Sequence, residues 1–151
     1  VRPCSMSEQS KTVRGPVTGG CQCGAVRYQL TAPPSEVVHC HCSICRRAHG
    51  ALFATAGIYG KTAVMIDNDK DLLQAFESSP GNQRFFCSRC GGQLFLMVGH
   101  WEHQMFVVLG SLDSDQHPGH DRANEKHIFW ESKIAWYDPC DDLPRKQGYG
   151  A

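Results

Sequence analysis

Hydrophobic residues along this chain fall into short runs that polar and turn-forming residues interrupt. Several of these runs are rich in β-branched or aromatic residues and have the length of one strand, namely 25–30, 52–59, 62–66, 72–76, 93–98, 105–112 and 127–137. Pro, Gly, Asn or Asp residues separate them, as expected for strands joined by turns. The run at 72–76 also fits a short amphipathic helix over 71–78, although that segment is short for a helix.

The pattern predicts a mainly β fold with one or two short helices, one of them within 43–52. A chain of 151 residues is most economically a single domain. We predict that the domain covers residues 19–138, with a flexible N-terminal segment or leader at 1–18 and a C-terminal tail at 139–151. Many short strands enclose a modest core, so we expect metal ions to stabilise the fold.

The balance of charged residues limits the classes of partner that this protein can bind. Lys plus Arg and Asp plus Glu are balanced at 15 each, so no basic field favours nucleic acid or an anionic membrane surface. No apolar run approaches the roughly 20 residues that span a bilayer, and the N-terminus lacks the apolar centre of a secretion signal. The sequence therefore predicts a cytoplasmic protein that binds neither nucleic acid nor a membrane, and it indicates no oligomeric state.

Cysteine is abundant, with nine residues, and an odd total cannot form a complete disulfide framework. In a reducing compartment, cysteines more often bind metals as thiolates than form disulfides. Apart from Cys4 and Cys140, the cysteines fall into three clusters. The clusters are Cys21 with Cys23, Cys40 with Cys42 and Cys45, and Cys87 with Cys90. Seven clustered thiols must be divided between sites.

Cys21 and Cys23 are two residues apart, so in an extended segment their side chains project to the same face. Cys87 and Cys90 have the CxxC spacing of a zinc knuckle, with glycines directly after them. Each pair supplies half of a Cys₄ shell, and together they predict a closed structural zinc site. A redox CxxC is less compatible, because no helical pattern follows it.

Cys40, Cys42 and Cys45 remain, without a fourth cysteine nearby. Three protein ligands and an open position are typical of a catalytic zinc site, whereas a histidine in the fourth position would make a second closed site. The candidate fourth ligands include His39, His41 and His49. Spacing alone leaves the two interpretations open.

Two further residue pairs are candidates for the site. Arg46 and Arg47 directly follow the third cysteine, and either could bind a carboxylate through its guanidinium group, although a solvated helix face explains them equally well. His41 lies between two cysteines, so alternation points its side chain away from a metal. His49 is better placed to act as an acid, a base or a ligand.

Five segments, read in order, resemble the motifs of the family of glutathione-dependent formaldehyde-activating enzymes, which also includes centromere protein V. They are GGCQCGAVRY, CHCSICRRAHGA, SSPGNQRFFCSRCGGQLF, VVLGSLD and HIFWESKIAW, and they span about residues 19–137. The resemblance implies a tent-like, mainly β fold with two zinc ions. It also implies that Cys21, Cys23, Cys87 and Cys90 are structural ligands, and that Cys40, Cys42 and Cys45 hold a catalytic zinc.

The resemblance further implies a carbon–sulfur lyase of the S-(hydroxymethyl)glutathione synthase type. Glutathione is the co-substrate, and its sulfur would complete the three-cysteine shell. A coordinated thiol is deprotonated by the metal and becomes a nucleophile at neutral pH. The electrophile is formaldehyde or something larger, and the size of the pocket decides between them. The alternative function is a non-catalytic zinc module that binds a protein partner.

Overall fold

The computed structural model describes residues 15–150, and within them it contains ten strands and one α-helix. The elements are β1 (Val17–Gly20), β2 (Arg27–Leu30), β3 (Glu36–Cys40), α1 (Ser43–His49), β4 (Ala54–Gly60), β5 (Val64–Asp67), β6 (Leu73–Ser79), β7 (Asn82–Cys87), β8 (Gln93–Val98), β9 (Gln104–Val108) and β10 (Glu125–Ile128). Four 3₁₀ turns cover Lys61–Ala63, Leu109–Ser111, Arg122–Asn124 and Trp130–Ser132. No helix in this part of the chain is both long and apolar enough to cross a membrane.

The strands form two sheets. The smaller sheet has the order β1-β2-β5 and is antiparallel throughout. The larger has the order β10-β3-β4-β9-β8-β7-β6, and its one parallel pair is β10 with β3. Because β10 lies beside β3, a strand from late in the chain borders the segment that leads to Cys40.

The larger sheet has an apolar cluster on each face. Phe106 and Val107 are neighbours on β9, yet they belong to different clusters, since successive side chains of a strand point to opposite faces. The Val107 cluster includes Val26, Tyr28 and Phe95, so it joins the two sheets, and the rings of Tyr28 and Phe95 meet edge to face at 5.3 Å. The Phe106 cluster contains Cys40 and Cys45, so the metal candidates lie over the other face.

The predicted mainly β fold is confirmed. The run at 93–98 coincides with β8, and the run at 72–76 lies in a strand rather than a helix. The predicted strand at 127–137 is wrong beyond Ile128, because Phe129 adopts a left-handed conformation with φ of 51° and a 3₁₀ turn follows. Strands β1, β3 and β7 were not predicted, since glycine or polar residues interrupt their apolar pattern.

The structure describes the C-terminal end of the chain but little of the N-terminal end. Residues 1–14 and 151 lie outside the described residues, and with them most of the N-terminal segment predicted to be flexible. Residues 139–150 lie against β10: the His127 amide donates to the Pro144 carbonyl at 2.9 Å, and the Lys146 amide donates to the His127 carbonyl at 2.9 Å. Leu143 is buried. The predicted tail therefore packs on the domain, held by backbone hydrogen bonds that its polar sequence does not indicate.

Candidate metal centres and active site

The first cysteine cluster joins two turns from different sheets. Cys21 and Cys23 follow β1, Cys87 ends β7, and Cys90 lies in the turn before β8. Their four sulfur atoms lie within 4.8 Å of one another. Gly91 has φ of 75°, a conformation that favours glycine and lets the chain turn directly after Cys90.

The sulfur distances in this cluster fit a tetrahedral zinc site. The Sγ atoms of Cys21 and Cys23 are 3.6 Å apart, and those of Cys23 and Cys87 are 3.9 Å apart. A tetrahedron with Zn–S bonds of about 2.3 Å has sulfur–sulfur edges of about 3.8 Å, whereas a disulfide needs about 2.05 Å. Although burial opposes ionisation, backbone amides of Cys23 and Gly92 lower the pKa of Cys90 to about 6, which favours the thiolate.

The second cluster forms where β3 leads into α1. Cys40 ends β3, Cys42 is the N-cap residue of α1, and Cys45 lies in the first turn. The Cys42 sulfur accepts a hydrogen bond from the Cys45 amide at 3.2 Å. The three sulfurs lie within 4.8 Å of one another, and among residues 15–150 no histidine nitrogen belongs to this group. Hydrogen bonds from Cys40 and then Cys45 lower the pKa of Cys42, which favours its thiolate form.

His41 points away from both neighbouring cysteines and into the protein. It is 1% exposed, and its Nε2 shares a hydrogen bond with Nδ1 of His127 at 2.8 Å. On the other side, Nε2 of His127 lies 3.0 Å from a carboxylate oxygen of Asp141. This buried chain of side chains connects the cysteine loop to β10 and to the C-terminal segment, and we interpret it as support for the loop.

The two arginines after Cys45 lie outside the cavity beside the cluster. Nε of Arg46 donates to the carbonyl oxygen of His41 at 3.3 Å, so this side chain braces the loop. Arg47 is exposed and borders an open groove together with Phe76 and Phe86. The two arginines therefore have different surroundings in the structure, although the sequence alone does not distinguish them.

Arg84, which the sequence reasoning missed, contacts the second cluster directly. It lies on β7 and is only 7% exposed. Its Nη2 donates to the sulfur of Cys45 at 3.3 Å, and its Nε donates to the hydroxyl of Ser78 at 2.9 Å. The sequence signal for this residue was an arginine next to two aromatic residues in the segment RFFC. An arginine buried with such neighbours requires a polar or charged partner.

A cavity of about 170 Å³ adjoins the three-cysteine cluster. All three cysteines and Arg84 line it, together with His49 of α1. Most of the remaining lining is aliphatic or aromatic. Burial, and after it the charge of Arg84, lowers the pKa of His49, so at neutral pH this imidazole is uncharged and can accept a proton.

Comparison with known proteins gives a consistent family match. The sequence model of the family described as "Glutathione-dependent formaldehyde-activating enzyme" matches residues 16–132. A Halomonas elongata protein, provisionally named as such an enzyme, is 28% identical over an alignment of 127 residues, and the match covers 80% of this chain and 78% of that protein. A Pyrenophora teres protein with the same provisional name is 34% identical over an alignment of 85 residues, but the match covers only 53% of this chain and 44% of that protein.

A solved structure supports the fold. The crystal structure of a Rhodobacter sphaeroides protein superposes with a TM-score of 0.56 and 22% sequence identity, covering 66% of this chain and 90% of that one. At this identity the likeness concerns the fold alone.

Proposed function

Because this chain belongs to the glutathione-dependent formaldehyde-activating enzyme family, we propose that it is a zinc-dependent carbon–sulfur lyase or synthase acting on a glutathione adduct of an aldehyde. The observation that carries the proposal is the contrast between its two cysteine clusters. One contains four sulfurs that suffice for a closed tetrahedral shell, and the other contains three sulfurs in the wall of a cavity. A cytoplasmic location accompanies the proposal, since glutathione and reduced cysteines coexist there.

The numbers of cysteines in the two clusters support two different metal roles. Four thiolates from Cys21, Cys23, Cys87 and Cys90 would hold a structural zinc. Cys40, Cys42 and Cys45 would hold the second zinc, with the glutathione sulfur as the fourth ligand. Bound zinc would lower the pKa of a coordinating thiol, so that the thiol is a nucleophile at neutral pH.

Arg84 supplies the charge balance that such a site needs. A divalent ion with three thiolates carries a net charge of about −1, and a fourth thiolate makes it about −2. Burying that charge beside apolar side chains is costly unless a cation lies close to it. Arg84 touches Cys45, so it offsets this charge from within the cavity wall.

The reaction conserves atoms and electrons without a redox partner. In the synthetic direction the glutathione sulfur adds to the aldehyde carbon, so a carbon–sulfur bond forms and the carbonyl π bond breaks. The thiol proton leaves the sulfur, and the carbonyl oxygen gains one. The uncharged imidazole of His49 lines the same cavity and would accept the thiol proton and return it to the oxygen. The lyase direction reverses these steps.

Arg47 is the better candidate for the peptide part of glutathione. It borders the groove that shares Ile44 and Arg84 with the cavity, so a ligand could extend from one space into the other. A guanidinium group there suits a glutathione carboxylate. Arg46, whose Nε binds the His41 carbonyl, would act mainly by holding the loop.

The proposal is tested by replacing zinc with Co²⁺ and titrating with glutathione. A fourth sulfur ligand should strengthen the thiolate-to-cobalt charge-transfer absorption, whereas S-methylglutathione keeps the peptide but cannot form a thiolate. We expect glutathione to change the spectrum and S-methylglutathione to leave it almost unchanged. Identical spectra with both compounds would contradict direct coordination and would favour a non-catalytic zinc module.

A further inference from the structure

The floor of the cavity is one face of the larger sheet. The strand register places Val38 opposite Ala56 and Ala56 opposite Val108. It also places Phe106 opposite Leu96, so aliphatic and aromatic side chains from adjacent strands form a continuous surface. This surface begins next to Cys40, which shares its face of β3 with Val38.

Small residues account for the empty space above this floor. Ala54 and Ala56 lie on the face of β4 that lines the cavity, where larger side chains would fill the volume. The most exposed members of the lining are Ile44 on α1 and Tyr149 near the C-terminus. The cysteines and the alanines line one chamber, so a single ligand can contact both.

The cavity is too large, and its lining too apolar, for a one-carbon group. A hydroxymethyl group and the sulfur that carries it contain three non-hydrogen atoms, whereas an engineered apolar cavity of about 150 Å³ binds the six carbons of benzene. The smaller group would leave much of the 170 Å³ unfilled. The chamber therefore matches an apolar group of about six carbons better than it matches formaldehyde.

We propose that the preferred electrophile is an aldehyde with an apolar substituent of about benzene size, held over Ala54 and Ala56 while its carbonyl carbon faces the three cysteines. This inference rests on the proposed function, because it assigns the substrate class of the same site. The bond changes are those of the glutathione addition described above, and the substituent takes no part in them. Its burial removes apolar surface from water and so contributes to binding.

The test uses the zinc-loaded full chain, its Ala56→Phe variant and an Ala75→Phe control. Ala75 is exposed on β6, so its replacement adds the same side chain away from the cavity. Ala54→Val adds only two methyl groups and serves if Ala56→Phe fails to fold. Binding is measured by fluorine NMR with 4-fluorobenzyl alcohol, which reports on the cavity without forming an adduct. Turnover is measured by exchange NMR with glutathione and either formaldehyde or 4-fluorobenzaldehyde.

We expect the alcohol resonance to broaden with the unmodified protein and with Ala75→Phe, and not with Ala56→Phe. The turnover ratio of 4-fluorobenzaldehyde to formaldehyde should fall by about tenfold or more in Ala56→Phe, and by less in Ala54→Val. Absence of broadening with the unmodified protein, or an unchanged ratio in the filled variants, would overturn the inference. Turnover of formaldehyde alone would overturn it while leaving the proposed function intact. Turnover of neither aldehyde would instead contradict the proposed function, and this substrate assignment with it.

Discussion

At the scale of single residues, Arg84 differs from the other arginines near the site in being buried against a cysteine sulfur. Its burial makes sense only if Cys45 and its neighbours carry negative charge, because an unpaired guanidinium is costly to desolvate. Arg46 and Arg47 are adjacent to the cysteines in sequence, yet neither lines the cavity among the residues that the structure describes. Proximity along the chain is therefore a poor guide to which cation balances the thiolates.

We predict that Arg84→Met weakens glutathione binding by about tenfold or more, equivalent to losing one charge-assisted hydrogen bond of roughly 1.5 kcal/mol. Arg84→Lys keeps the charge and should recover part of the affinity. The measurement is the cobalt charge-transfer titration with each variant. If Arg84→Met and the unmodified protein gave the same midpoint, Arg84 would have no role in balancing the bound thiolate.

At the scale of elements, the two clusters differ in what they connect. The four-cysteine cluster joins the turn after β1 to the turn between β7 and β8, so it couples the small sheet to the large one. The three-cysteine cluster spans only the junction between β3 and α1. A metal in the first site closes a loop of about sixty residues, and a metal in the second closes a loop of six at most.

Cys87→Ser should therefore unfold or aggregate the protein, since structural zinc binding contributes directly to folding free energy. Cys42→Ser should remain folded and lose activity. Thermal melting followed by circular dichroism distinguishes them, with the unmodified protein as reference. Equal loss of melting temperature in the two variants would show that the clusters do not have separate roles.

At the scale of the whole molecule, the division of seven thiols into a group of four and a group of three predicts two zinc ions per chain. The measurement is elemental analysis of protein purified without added metal. Cys42→Ser should retain about one ion, because its first cluster is intact. A single zinc in the unmodified protein would contradict the proposed catalytic site.

The sequence alone determined the mainly β class and the short helix, and it pointed to the family. It also identified the two groups of cysteines that the structure brings together, because CxC and CxxC spacings are local constraints that hold sulfurs on one side of a turn. The four-ligand shell of zinc joined Cys21 and Cys23 to Cys87 and Cys90 across about sixty residues, whereas the spacing within each cysteine cluster depends on neighbours within a few residues. Periodicity and composition report such neighbours directly.

Tertiary structure decided what surrounds the second cluster. Arg84 meets Cys45 across 39 positions of sequence, and His127 meets His41 across 86. The strand at 127–137 ended early because one residue, Phe129, takes a left-handed conformation that apolar patterning does not encode. The cavity exists because Ala54 and Ala56 are small where their strand register aligns them with larger neighbours. Its size is a property of the packing of several strands, and a single sequence pattern contains no measure of such packing.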